Sequence, residues 1–178
     1  MIIGAIDLGT NTFDLLLAQV TDGNLKILYR EKQWVGLGTG LYPSMELQQD
    51  ALHRATQCLI HFNVIAKEYQ ANVLRACGTS ALRDAINGRL WCAEIHEKTG
   101  ISIEVISGIQ EAKRVFSGIK NLSNIPSDGI IMDIGGGSTE LIVFRELQLD
   151  HVFSLDIGVT RLLNALDFNN PLIFFLKS

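Results

Sequence analysis

Two stretches of this chain repeat each other at one fixed distance. Residues 130–143 read IIMDIGGGSTELIV, and residues 3–17 read IGAIDLGTNTFDLLL. Asp133 lies 126 positions after Asp7, and the same offset links Gly135 to Gly9, Ser138 to Thr12, Glu140 to Asp14 and Leu141 to Leu15. A constant offset of this kind is the mark of internal duplication. The fold must therefore accommodate two copies of a strand, an acid, a glycine turn and a second strand, spaced by roughly the length of one small domain. Two such turns facing each other form a cleft.

Each copy has the chemistry of a phosphate loop. Ile130, Ile131 and Met132 suit a buried strand, while Gly135, Gly136 and Gly137 permit φ > 0 and remove the Cβ atoms that would keep a ligand off the backbone. Successive N–H groups in such a turn can cradle an anion, and Ser138 and Thr139 add hydroxyl donors. In the first copy Gly9, Thr10, Asn11 and Thr12 are the corresponding phosphate-binding candidates. Asp133, at a strand end, is placed to hold a hydrated divalent metal or a water against bound phosphate.

With 178 residues and an apolar fraction of 47%, the chain has ample core for one domain plus part of another. Its net charge of −4 and the absence of a Lys/Arg cluster give no electrostatic footprint for nucleic acid or an anionic membrane surface. A polyanion must then be met by local donors and metal. Cys58, Cys77 and Cys92 are odd in number and form no C-x-x-C pair, so reduced, packed thiols of a cytoplasmic protein are expected. Asp7 interrupts the first apolar run and residues 172–176 fall far short of the ~20 residues of a membrane span. His53, His61, His96 and His151 sit singly and read as structural.

Taken in order, residues 2–6, 12–20 and 25–35 predict an antiparallel meander with turn chemistry at Asp22-Gly23-Asn24. Glycines and Pro43 then mark a loop. Ser44 is expected to N-cap a helix with Glu46 in its first turn, and Leu52, Ala55, Leu59, Phe62, Ala66 and Tyr69 fall on one helical face. Residues 72–77 predict a strand, followed by a short helix capped by Thr79 or Ser80 and bearing Arg83. Helices over 90–98 and 110–122 flank a strand over 101–106, the last helix carrying a stripe of Val115, Phe116, Ile119 and Leu122. After a linker, residues 121–128, the second copy supplies the central hairpin, a strand over 147–155 and a helix starting at Val159. The order β-β-β-α-β-α-β-α implies a mixed five-stranded sheet with helices on both faces. Residues 1–125 are thus expected as a first domain and 126–178 as an incomplete second one. Its apolar face of Ile131, Leu141 and Val143 should lack most of its helical cover, and the apolar tail PLIFFLKS agrees with a truncated chain.

Four segments in this order resemble the exopolyphosphatase and guanosine pentaphosphate phosphohydrolase (Ppx/GppA) family, within the actin, Hsp70 and sugar-kinase superfamily. They are IDLGTNTFDLLLA at 6–18, GTSALRDAIN at 78–87, ISGIQEA at 106–112 and DIGGGSTEL at 133–141. The resemblance implies an RNase H-like, actin-like α/β fold. It implies that Glu111 activates or orients the attacking water, that Asp133 and Glu140 take part in catalysis, that Asp7, Asp133 and Glu140 hold Mg²⁺, and that Arg83 grips phosphate. Two positions depart from the pattern. Asp14 stands where the family usually has Arg or His, and would repel phosphate unless Mg²⁺ bridges it or it turns to solvent. Gln110 replaces an acid often seen beside the catalytic Glu and suggests retuned substrate binding.

The expected activity is release of terminal phosphate from inorganic polyphosphate or guanosine pentaphosphate, with a homodimer as the expected assembly and neither nucleic acid nor membrane as partner. Two alternatives stay open: an ATP-using kinase or ATPase of the superfamily, and a catalytically inactive module that binds polyphosphate or (p)ppGpp.

Overall fold

The computed structural model describes residues 1–42, 44–122 and 124–165. Pro43, the end of the last predicted helix at Leu166 and the PLIFFLKS tail lie outside the described residues.

Strands β1 (Ile2–Leu8), β2 (Thr12–Thr21) and β3 (Asn24–Trp34) form the predicted meander, turning at Asp22 and Gly23, both at positive φ. Helix α1 (Gln49–Glu68) leads into β4 (Val73–Gly78), and α2 (Ser80–Asp84) and α3 (Gly88–Thr99) lead into β5 (Ile103–Val105). The five strands make one mixed sheet in the order β3-β2-β1-β4-β5, antiparallel through β3, β2 and β1 and parallel from β1 to β4 to β5. Alternation along β1 and β2 sends Ile6, Leu8, Phe13, Leu15 and Leu17 to one face. There they pack into one core with Leu59, Phe62 and Ile65 of α1 and Trp91 and Ile95 of α3. Burial of each such large side chain stabilises by about 1.5–3 kcal/mol. The opposite face presents Asp7, Asp14 and Lys32, aligned across three strands by the register.

Helix α4 (Gly108–Lys120) is followed by β6 (Gly129–Ile134), β7 (Thr139–Arg145), β8 (Gln148–Leu155) and α5 (Val159–Ala165). β6, β7 and β8 form a separate antiparallel sheet in that order. The duplication read from the sequence is carried by the register itself. Asp7 pairs with Asp14 in the first copy as Asp133 pairs with Glu140 in the second. Gly9 N–H donates to the Thr12 carbonyl at 3.0 Å, as Gly135 N–H does to that of Ser138 at 2.9 Å.

Several expectations are revised. α1 starts at Gln49, so Ser44 and Glu46 precede it and Asp50 is its first-turn acid. The Asn87 side chain accepts from Leu47 N–H and donates to the Leu47 carbonyl, both at 3.0 Å, and this clamp keeps the chain before Gln49 non-helical. Thr79 takes the N-cap position of α2 without capping, since its hydroxyl donates to the Leu8 carbonyl. β5 is shorter than predicted because Ile101 N–H is taken by Thr99 Oγ1 at 3.1 Å. α4 starts two residues early, in a capping box where Ser107 Oγ accepts from Gln110 N–H and Gln110 Oε1 accepts from Ser107 N–H. The Gln110 side chain is thus engaged in capping the start of α4, a task that Glu or Gln can perform.

The predicted stripe on α4 is also shifted. Ala112 and Phe116 are buried against Ile142 and Phe144, with the Phe116 and Phe144 rings 5.5 Å apart, while Leu122 is exposed. α4 therefore packs on the second sheet although it precedes the linker. Ile131 joins this covered cluster, and only Leu141 and Val143 of the three residues named above lie on the other face. That outer face carries Ile130 at 70% and Met132 at 61% exposure. Among the described residues no helix is long and apolar enough to cross a membrane.

Candidate active site

The two glycine turns meet. Gly9, Thr10, Asn11 and Thr12 from the β1–β2 turn and Gly135, Gly136, Gly137 and Ser138 from the β6–β7 turn line one cleft. Asp7, Asp14, Lys32, Glu111 and Asp133 complete its walls. The reason for the three glycines differs from the one expected. None of them adopts positive φ. A Cβ on Gly136 would stand 2.8 Å from Thr10 Cβ and 3.0 Å from Asn11 Nδ2, and one on Gly137 would stand 2.8 Å from Ser80 Cβ. The glycines let one loop press against the other, since contacts under 3.0 Å cannot be kept without displacement.

Four carboxylates, Asp7, Asp14, Glu111 and Asp133, line the cleft. Burial, then Asp14 and Asp133, push the Asp7 carboxyl up to about 6, against the lowering effect of Lys32. Glu111 sits in the first turn of α4 and is pushed up to about 7, first by burial and then by Glu140, with Arg83 pulling the other way. A carboxyl that titrates near neutrality is suited to exchange a proton with substrate or water. Asp14 is not turned to solvent, its side chain being 19% exposed. Lys32 Nζ stands 3.1 Å from Asp14 Oδ2 and Arg30 Nη2 3.5 Å from Asp14 Oδ1, so cations from the neighbouring strand answer the acid.

Other predicted residues lie outside the cleft. Arg83 Nη1 donates to Glu111 Oε2 at 3.3 Å and to the Ile106 carbonyl at 2.8 Å. Glu140 is 1% exposed and accepts from Ser154 Oγ at 2.9 Å, beneath Gly108 at the start of α4. Thr139 Oγ1 donates to the Ile157 carbonyl. Among the described residues no three Asp, Glu, His or Cys side chains form a ready metal cage, so Asp7, Asp133 and Glu140 are not assembled as a ligand trio. The cleft nevertheless fits a divalent cation, because Asp14 Oδ1 is buried without a hydrogen bond and Asp7 and Asp133 repel each other. Mg²⁺ commonly takes one or two carboxylates and completes its shell with water and phosphate oxygens.

The sequence reading missed Lys32, Arg30 and Arg114, which add positive charge to the cleft and its extension past Cys77. Counting the β2–β3 register outward from Asp22-Gly23 would pair Asp14 with Glu31; the register shift between Leu17 and Ala18 moves the pairing to Lys32, so the turn alone does not reveal it. It also missed Trp34, 73% exposed at the rim.

A sequence model of the Ppx/GppA phosphatase family matches residues 16–173. The chain belongs to this family. Its structure resembles that of an exopolyphosphatase from Cytophaga hutchinsonii with a TM-score of 0.91 and 34% identity, over 96% of this chain and 55% of that one. A Ppx/GppA family member from Aquifex aeolicus gives a TM-score of 0.78 and 28% identity, over 89% of this chain and 52% of that one. The chain thus spans about half the length of these family members. The ethanolamine utilization protein EutJ from Carboxydothermus hydrogenoformans, at 16% identity and a TM-score of 0.54, shares the fold alone. The actin-like fold that the resemblance implies is the fold of this chain.

Proposed function

We propose that the cleft hydrolyses terminal phosphoanhydride bonds, with inorganic polyphosphate or guanosine pentaphosphate as substrate. The observation that carries this reading is Glu111, a carboxyl pushed up to about 7 at the wall of a cleft made from two facing phosphate loops. Phosphoryl transfer to water requires an in-line nucleophile and compensation of charge on the non-bridging oxygens, with little covalent work by the protein. The loops at Gly9 to Thr12 and Gly135 to Ser138 would hold successive phosphoryl groups through backbone N–H and hydroxyl donors. Lys32 would approach the same chain from β3.

Glu111 would accept a proton from the attacking water as its oxygen bonds to the terminal phosphorus. The bridging P–O bond breaks, the terminal phosphorus departs as orthophosphate carrying the water oxygen, and the shortened chain leaves with the bridging oxygen. Arg83 would hold the carboxylate in place between proton transfers, and its attraction keeps an ionised fraction available at neutral pH. Mg²⁺ bound through Asp7 and Asp133 would supply further neutralisation of phosphate charge. Glu140, buried and hydrogen-bonded to Ser154, would act on the reaction through its field on Glu111.

Phosphate release from inorganic polyphosphate by wild type and Glu111→Ala tests the reading. Loss of a positioned base is expected to lower the rate by about 10²- to 10⁴-fold with polyphosphate binding retained. Turnover retained in the variant would remove Glu111 from this role. A wild-type chain that binds polyphosphate and releases no phosphate would favour a binding module instead.

A further inference from the structure

Arg161 takes no part in the chemistry above, yet it joins the two copies beside the cleft. It lies in the first turn of α5, and its side chain is only 20% exposed. Its Nη2 pairs with Asp84 Oδ2 of α2 at 2.5 Å, its Nε donates to the Gly137 carbonyl at 2.8 Å, and its guanidinium lies 4.5 Å from the centre of the Tyr42 ring. Tyr42 OH donates to the same Asp84 oxygen at 2.9 Å. One residue earlier, Thr160 Oγ1 donates to Asn11 Oδ1 at 2.9 Å, and Thr160 N–H donates to the Gly136 carbonyl at 2.7 Å.

We infer that Arg161 is a positioning residue that fixes the separation of the two phosphate loops. The planar guanidinium is the group for this task, because its fixed fork can bond a carboxylate and a carbonyl together while its face rests on an aromatic ring. Asp84 belongs to the first copy and Gly137 to the second loop, so a single side chain spans the duplication. Tyr42, pushed up to about 12 by burial and by Asp84, stays a hydrogen-bond donor across the physiological range. An aliphatic side chain at 161 would leave Asp84 and the Gly137 carbonyl without that partner, and the second loop would be held against the first copy by shape and by the Thr160 links to Asn11 and the Gly136 carbonyl. Charge, hydrogen bond and stacking act on one group, so their removal should be felt locally and non-additively.

Hydrogen–deuterium exchange on the whole chain tests this without reference to catalysis. In Arg161→Met the amides of Gly135, Val159 and Thr160, which donate to carbonyls of the second loop, are expected to exchange roughly tenfold faster, as loss of a coupled network commonly costs. Those of α1 should be unchanged. Arg161→Lys, which keeps the charge but not the fork, should fall between the two and carries the test if Arg161→Met does not fold. Asp84→Asn combined with Arg161→Met should add nothing to Arg161→Met alone. Unchanged exchange at Gly135, Val159 and Thr160, or equal acceleration throughout the chain, would overturn the inference. A second arm, which rests on the phosphohydrolase reading, adds inorganic triphosphate. It should protect both loops in wild type and protect them less in Arg161→Lys; equal protection in the two proteins would count against the clasp. Absence of protection in wild type would refute the phosphate reading, while the ligand-free exchange still decides the role of Arg161.

Discussion

Replacing Glu111 by Gln is expected to stabilise the fold while removing its chemistry. The Glu111 side chain is 18% exposed and is pushed from the ordinary 4.5 to about 7, burial and Glu140 outweighing the Arg83 ion pair. At about 1.4 kcal/mol per pH unit this amounts to ~3 kcal/mol by which folding disfavours the ionised form. The folded chain holds the proton more tightly than the unfolded chain does, so this contribution is intact below pH 4.5 and is lost as pH rises through about 7. Gln imitates the protonated acid and still offers Arg83 an oxygen. Urea unfolding of the two proteins between pH 4 and 8 should therefore give coincident stabilities at the acid end, with the variant about 3 kcal/mol ahead at the alkaline end. Asp7, pushed up to about 6, imposes its own decline on both proteins and largely cancels in the difference. A variant less stable than wild type at pH 8 would refute the reasoning, for it would mean that the ion pair with Arg83 exceeds the cost of burying the carboxylate. In wild type, phosphate release should rise with pH to a plateau above about 7, where Glu111 is ionised.

Gly137→Ala should lower thermal stability by about 1–3 kcal/mol, because the new methyl group must displace Ser80 at the start of α2; an unchanged melting temperature would show that the second loop does not press on α2. Lys32→Ala should weaken polyphosphate binding and reduce its dependence on salt. Fluorescence reports this directly, since Trp34 sits at the cleft rim and Trp91 is 3% exposed in the core; an unaltered titration would exclude Lys32 from the phosphate path. Ile130→Lys with Met132→Lys should leave the melting temperature unchanged and reduce both binding of a hydrophobic dye and self-association, since both side chains lie on the uncovered outer face of the second sheet. Equal dye binding by the double variant would locate the sticky surface elsewhere.

The duplication was legible because it is written in short-range terms. A strand, an acid and a glycine turn recur at one offset, and the hairpin register that brings Asp7 opposite Asp14 and Asp133 opposite Glu140 follows from the turns. The α1 core face was legible through helical spacing. What stayed hidden depends on contacts between distant residues. The start of α1 is set by Asn87 acting on Leu47, forty positions away, which no local propensity encodes. The sheet on which α4 would pack could not be read from its amphipathic stripe, because both sheets offer an apolar face. The glycines were recognised for a conformational freedom they do not use, since their neighbour across the cleft is invisible from within either turn. Arg161, within the helix expected from Val159, carries no local signal of its partners Asp84 and Gly137. Glu111 was found through resemblance, and its raised proton affinity comes from Glu140 and burial, which only the assembled fold supplies.

Helix α4 is bound to the two copies by different means. Ala112 and Phe116 bury it in the second sheet, whereas polar links join it to the first, from Glu111 to Arg83 and from Arg114 to Glu104. Close apolar packing resists sliding more than exposed ion pairs do. If the halves rock, Glu111 travels as cargo of the second half, its distance to the Gly135 loop constant and its distance to the Gly9 loop variable. Shutting the jaws on a phosphate chain and bringing the proton acceptor to bear would then be a single displacement.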